Sequence, residues 1–197
     1  VELWLQSGHA NAESPSFTHW NDEGEIPPNC ATCHAGEGFR AFYGIDGSTV
    51  GEISHPIPTG GVIDCATCHE EGANDIGIVR FPSGLDISPD AGTATCLTCH
   101  QGRQSGPGIS TATADMPDHE INADLTFINP HYAVAGATLF GTEVKGGYEY
   151  PGREYAGRFN HVPPFSTCID CHDPHSTAVR VETCSGCHEG DELRAIR

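Results

Sequence analysis

The sequence predicts a mostly irregular fold of short helices and one or two small β-hairpins, around a core that its own side chains do not supply. Three observations predict it. Leu, Ile, Val and Phe number 7, 13, 9 and 8 in 197 residues, about 19%, just under the roughly 20% below which a highly charged chain buries too little apolar surface to fold. Twenty-four glycines and 14 prolines are spread along the whole length, leaving little room for long regular elements. All ten cysteines fall in five C-x-x-C pairs, and each pair is followed at once by histidine.

Those motifs are Cys30-Ala-Thr-Cys33-His34, Cys65-Ala-Thr-Cys68-His69, Cys96-Leu-Thr-Cys99-His100, Cys168-Ile-Asp-Cys171-His172 and Cys184-Ser-Gly-Cys187-His188. C-x-x-C-H is the attachment sequence of c-type haem: two thioether bonds hold the porphyrin edge and the histidine binds the iron as proximal ligand. Structural zinc also uses C-x-x-C, but joins two pairs per ion at spacings of roughly 15–20 residues and requires no adjacent histidine. Here the pairs are five and the gaps are 31, 27, 68 and 12 residues. Disulfides would require no histidine at all. The cofactor reading is therefore five covalently attached haem c groups. The fold reading becomes a multihaem cytochrome c fold, with a short helix at each motif and stacked haems as its core.

The elements follow in order. A helix is expected near Glu2–Ala12, and a second from Ser14, a good N-cap, with Pro15 at the first helical position. Asn129-Pro130 repeats that pattern before a short helix from His131 to Phe140. One hairpin is expected to pair Ile76–Phe81 with Leu85–Ser88 across Pro82-Ser83-Gly84. Another is expected to pair Glu143–Tyr150 with Arg153–Tyr155 across Pro151-Gly152.

Residues 1–104 hold three motifs, 105–160 none and 161–197 two. They read as one multihaem domain, the middle stretch supplying distal ligands, because no part has enough aliphatic residues to bury itself without neighbouring porphyrins. A compact chain of this length has a diameter of roughly 40 Å, so five porphyrins must lie at or near contact. The start, Val1-Glu-Leu-Trp-Leu-Gln, lacks a secretory signal, and no run approaches the roughly 18 apolar residues of a membrane span. The chain reads as a mature, soluble form whose leader was removed.

The sixth ligand of each iron decides between carrying electrons and binding substrates. Met116 and Lys145 are the sole methionine and lysine, so neither can serve generally. Seven histidines remain outside the motifs: His9, His19, His55, His119, His131, His161 and His175. Five irons need five partners, and the supply suffices for bis-histidine ligation throughout. His175 lies three residues after His172. Three residues span at most about 11 Å, whereas two axial histidines of one haem need Cα atoms about 13 Å apart. As a ligand, His175 must therefore serve a neighbouring haem. Small or aromatic neighbours favour His9 in Ser7-Gly8-His9-Ala10, His19 beside Trp20, His131 beside Tyr132 and His161 before Val-Pro-Pro-Phe. His55 between Ser54 and Pro56, and His119 in Asp118-His119-Glu120, have loop or acidic surroundings.

The stretches SGHA, FTHWNDEGEIPPNCATCHAGEGF, RFPSG, CLTCHQGR, NPHYAVAGATLFGTEVKGGYEY and CIDCHDPH resemble secreted bacterial and archaeal multihaem c-type cytochromes, over nearly the whole length. The resemblance implies that His9, His19, His131, His161 and His175 are the distal ligands. It further implies haem attachment outside the cytoplasmic membrane, hence an extracellular or cell-surface location, with the periplasm as alternative. The sequence is similar to multihaem cytochromes that polymerise into conducting filaments.

With 27 acids against nine bases the formal charge is −18, and five ferric haems with ionised propionates would take it to about −23. Nucleic acid is excluded as a partner, since it requires clustered Lys and Arg. A basic redox protein, an extracellular acceptor or another copy of the chain fits better. Three functions are weighed. One is an electron conduit whose copies stack head to tail into a filament, with His9 completing a haem site of a neighbouring copy. The second is a discrete carrier. The third is a reductase with one open iron, disfavoured because pentahaem nitrite reductases are far longer and use C-x-x-C-K, whereas every motif here ends in histidine.

Overall fold

The computed structural model describes residues 1–117, 119–158 and 160–189. Along the chain come α1 (Glu2–Leu5), α2 (Pro15–Thr18), β1 (Glu25–Ile26), α3 (Pro28–His34), α4 (Gly36–Phe42), β2 (Ile57–Pro58), α5 (Cys65–His69), β3 (Val79–Arg80) and β4 (Asp86–Ile87). There follow α6 (Ala91–His100), α7 (Gly106–Ala112), α8 (Ala135–Phe140), α9 (Cys168–Cys171) and α10 (Val181–Cys184). The longest of these, α6, has ten residues, so the chain is mostly irregular with short helices, as its glycine and proline content requires. Each C-x-x-C-H motif lies on a helical turn. The last does so by a turn beyond α10, where the amides of Cys187 and His188 donate to the Cys184 carbonyl at 3.1 and 2.9 Å.

The chain divides into two compact units, one of residues 1–76, 91–93 and the described residues from 162 onward, the other of 77–90 and 94–161. In the first unit β1 pairs antiparallel with β2, Ile26 opposite Ile57. These two residues bury with Ala31 and Ala35, and Trp20, Cys30 and Ile53 pack around them. Pro28 starts α3, and a single extended residue, Ala35, separates it from α4. The two helices approach closely because Gly38 has no side chain; a Cβ there would overlap the Ala31 carbonyl. In the second unit β3 and β4 form a hairpin with Val79 opposite Ile87, and Gly84 turns it at φ +83°. Phe81 from this hairpin meets Phe140 of α8 edge-on, with ring centroids 5.9 Å apart, and Leu97, Val79 and Val144 are buried in the same unit.

Several expected elements differ. The first helix ends at Leu5 rather than Ala12, because the Ser7 hydroxyl and amide both bond the Trp4 carbonyl and close the last turn. The helix expected from His131 begins at Ala135, since His131 and Ala133 take φ of +82° and +52°, incompatible with a right-handed helix. The hairpin across Pro151-Gly152 is absent: Arg153 donates to Tyr150 as a turn, but Gly141–Glu143 is a 3₁₀ turn and Thr142 bonds Ala156 instead. The hairpin across Pro82-Ser83-Gly84 and the Ser14 cap of α2 match expectation, the cap accepting from the Ser16 amide. No described helix is long and apolar enough to cross a membrane.

Candidate functional site

On a helical turn, residues i, i+3 and i+4 share one face. A helical C-x-x-C-H segment therefore presents both thiols and the imidazole to the same side, which a planar group bound at its edge and its centre requires. Local chemistry builds these turns. Asp64 caps α5, its carboxylate accepting from the Thr67 amide at 3.0 Å and hydroxyl at 2.9 Å. Arg40 of α4 donates to both oxygens of Asp64 at 2.8 and 3.0 Å and lies 3.6 Å from Glu70, just past His69. Partial burial pushes the Asp64 carboxyl up, but the Thr67 hydroxyl and amide and the Arg40 guanidinium outweigh it and hold the group below its ordinary range. In α9, Asp170 reaches back to accept from the Ser166 and Thr167 amides at 2.9 and 2.7 Å.

Three motif histidines are oriented by backbone carbonyls. His34 Nδ1 donates to Ser16 at 2.7 Å, His100 Nδ1 to Ala133 at 2.8 Å and His172 Nδ1 to Thr177 at 3.0 Å. A carbonyl only accepts, so Nδ1 carries the proton and, in the neutral ring, the lone pair is on Nε2. That is the arrangement by which proteins fix the tautomer and raise the basicity of a metal-binding imidazole. Two of these carbonyls belong to non-glycine residues at positive φ, Ala133 at +52° and Thr177 at +59°. Such conformations cost about 1–2 kcal/mol and cluster at functional sites. Here they aim a carbonyl at a motif histidine.

The histidines outside the motifs are distributed as follows. His175 reaches a motif histidine directly, its ring centroid 5.9 Å from that of His69 with planes 20° apart. His19 ends α2 against Trp20, at 4.6 Å, and Trp20 in turn meets His34 at 5.0 Å. The His9 carbonyl accepts from Ile63, two residues before Cys65. His131, beside Tyr132, lies two residues before the carbonyl that holds His100. His161, His55 and His119 are exposed, and the His55 Nδ1 lies 3.2 Å from the Ser54 hydroxyl.

The donor chemistry fits haem attachment better than thiolate metal binding. All ten cysteines lie in the five C-x-x-C-H turns. Among the described residues no three His, Cys, Asp or Glu side chains converge to hold an ion. Burial, with the nearby Cys184 thiol and Asp170 carboxylate, pushes the Cys171 thiol up. Cys30, Cys33 and His34 on α3, Cys65, Cys68 and His69 on α5, Cys96, Cys99 and His100 on α6, Cys168, Cys171 and His172 at α9, and Cys184, Cys187 and His188 at α10 are the residues that would hold such groups. The carbonyls of Ser16, Ala133 and Thr177 escaped the sequence reading because any residue has one. The sequence reading also missed the Asp64 cap, although an aspartate directly before Cys65 is an N-cap signal that could have found it.

Turns of this composition and geometry suit c-type haem attachment, and the comparisons with known proteins find similarity to polyhaem c-type cytochromes. The chain is 28% identical over 229 aligned residues to the C-type polyheme cytochrome OmcC of Geobacter sulfurreducens, covering 95% of this chain and 27% of that protein. It is 30% identical over 210 residues to the C-type polyheme cytochrome OmcB of the same species, covering 88% of this chain and 26% of that protein, in each of two strains. The chain thus spans about a quarter of the length of the curated relatives it matches. No family model matches the chain, and no solved structure does.

Proposed function

We propose that the protein is an electron conduit in which five bis-histidine haems, one per C-x-x-C-H turn, pass electrons through the molecule. The observation that carries this reading is the set of carbonyl-oriented histidines: among the described residues His34, His100 and His172 have Nδ1 engaged by backbone, two of them at strained residues. Its polyhaem relatives support it. A bound haem supplies an iron that changes between ferric and ferrous states and exchanges an electron with a neighbour at close range. The chain's own residues do the rest. The cysteine pairs fix the plane and rotation of each group. The Nδ1–H bonds hold the rings of His34, His100 and His172 and tune their basicity. His9, His19, His131, His161 and His175 close the sixth positions, leaving no iron open to substrate, so the protein is a carrier of electrons and not an enzyme.

Copies associate head to tail into an extracellular filament that lengthens the path. Large apolar side chains exposed on a strongly acidic chain support self-association, among them Leu3 and Leu5 on α1 and Phe127 and Tyr132 in the second unit. Intact mass should show five haem additions, and the spectrum should be wholly low-spin with no carbon monoxide binding. A high-spin, carbon monoxide-binding iron in the unaltered protein would instead establish a reductase-type site. Electron microscopy of native material should show filaments; monodisperse particles at high concentration would leave the discrete carrier.

A further inference from the structure

His69 and His175 come from opposite parts of the first unit. His69 ends α5, the turn that carries Cys65 and Cys68, and His175 follows the turn that carries Cys168 and Cys171. Their rings are nearly parallel, 20° apart, with centroids separated by 5.9 Å. Fully overlapped parallel rings have centroids about 3.5–4.0 Å apart, so these two are offset from one another, a separation that rings take with or without an ion between them. Two imidazoles on opposite sides of one metal ion have each nitrogen about 2.0 Å from it and each centroid about 1.1 Å further, which places the centroids about 6.2 Å apart. The observed separation is within a few tenths of an ångström of that span.

His175 is held in place by its own turn. Asp173 Oδ1 accepts from the His175 amide at 3.1 Å and from the Ser176 amide and hydroxyl at 2.8 and 3.0 Å, and its other oxygen lies 3.7 Å from Arg180. The same turn supplies the Thr177 carbonyl to His172 Nδ1. One short segment therefore orients both His172 and His175, which are too close along the chain to bind opposite faces of one iron.

We infer that His175 is the second axial ligand of the haem carried by Cys65 and Cys68, opposite His69. This rests on the haem reading above and adds to it a wiring order. The turn from His172 to Thr177 then serves two different haems, those of the second and fourth motifs. These two are neighbours although the third motif lies between them in the sequence, so the electron path does not follow chain order.

The test uses the haem-loaded protein, with haem number from intact mass and spin state from electron paramagnetic resonance and carbon monoxide difference spectra. His175→Ala should keep five haems and convert one iron in five to a high-spin, carbon monoxide-binding form. Adding Cys65→Ala and Cys68→Ala should remove that signal, whereas adding Cys30→Ala and Cys33→Ala should leave it. His175→Met should keep every iron low-spin and raise the potential of one haem, because methionine–histidine ligation is more oxidising. A wholly low-spin His175→Ala protein, or a high-spin signal that survives loss of Cys65 and Cys68, would overturn the assignment. So would an unshifted His175→Met protein, which decides the matter if the alanine variant fails to fold. Absence of haem from the unaltered protein would instead overturn the haem reading.

Discussion

Residues 25–70 and residues 162–189 each carry two C-x-x-C-H turns, and they hold them in opposite ways. The first stretch has an apolar core: Ile26, Ala31, Ala35, Phe39, Ile57 and Ile63 are buried, and Cys30 packs against part of this cluster. In the second stretch none of the described residues is buried. Its turns are shaped by polar contacts instead, through Asp170 on Ser166 and Thr167, Asp173 on His175 and Ser176, and Arg180 Nη1 on the Ile169 carbonyl at 3.1 Å. The motif's helical turn is thus independent of how its surroundings are packed. What differs is the source of cohesion, because exposed hydrogen bonds contribute little net stability. On the function proposed above, the second stretch is expected to depend on the haems its cysteines would hold.

The largest expected effect breaks that comparison if it fails. Replacing Cys168, Cys171, Cys184 and Cys187 by alanine should abolish amide-exchange protection across 162–189 while the amides of α3 and α4 stay protected. Equal loss in both stretches would show that they share one source of cohesion. Replacing all ten cysteines should extend the loss to the whole chain, read by circular dichroism.

Within the first stretch, Phe39→Ala should cost about 3–5 kcal/mol, since Phe39 is 0% exposed and truncating such a ring leaves a cavity. Denaturant unfolding followed by far-ultraviolet circular dichroism would measure it. A smaller effect is expected for Arg40→Met, about 1–3 kcal/mol for lost hydrogen bonds to charged partners. Its side chain is 15% exposed and joins Asp64 to Glu70, so the loss should loosen α5 in particular. Displacement of the spectrum of one haem, with the other four unchanged, would be its signature.

The smallest effect is one of pH. Asp64 has its folded pKa lowered below the ordinary 3.8. Its contribution to stability is therefore complete above that value and lost as pH falls through the lower folded value. The midpoint of thermal unfolding should drop more steeply as the pH falls below about 4 in the unaltered protein than in Asp64→Asn. Parallel slopes would show that the cap does not sense protonation.

The motif turns were legible because covalent chemistry writes itself into residue identity: two thiols and an imidazole at i, i+3 and i+4 have few other uses. Ser14 with Pro15 and the Pro82-Ser83-Gly84 turn were legible for a similar reason, as local backbone preferences acting over three or four residues. The readings that failed needed information from elsewhere in the chain. His131 looked like a helix start, yet its backbone and that of Ala133 take positive φ, and the Ala133 carbonyl bonds His100. The pairing of Ile26 with Ile57 joins two-residue strands with no periodicity to detect.

By itself, then, the sequence determined where haem can be attached, how many attachment turns there are, and that side chains alone make a poor core, because these are properties of residue type and spacing. Only the tertiary structure decided which carbonyl orients which histidine and that His175 faces His69 across 5.9 Å. A carbonyl has no sequence signature, and a distance between residues far apart in the chain exists only once the segments between them are folded.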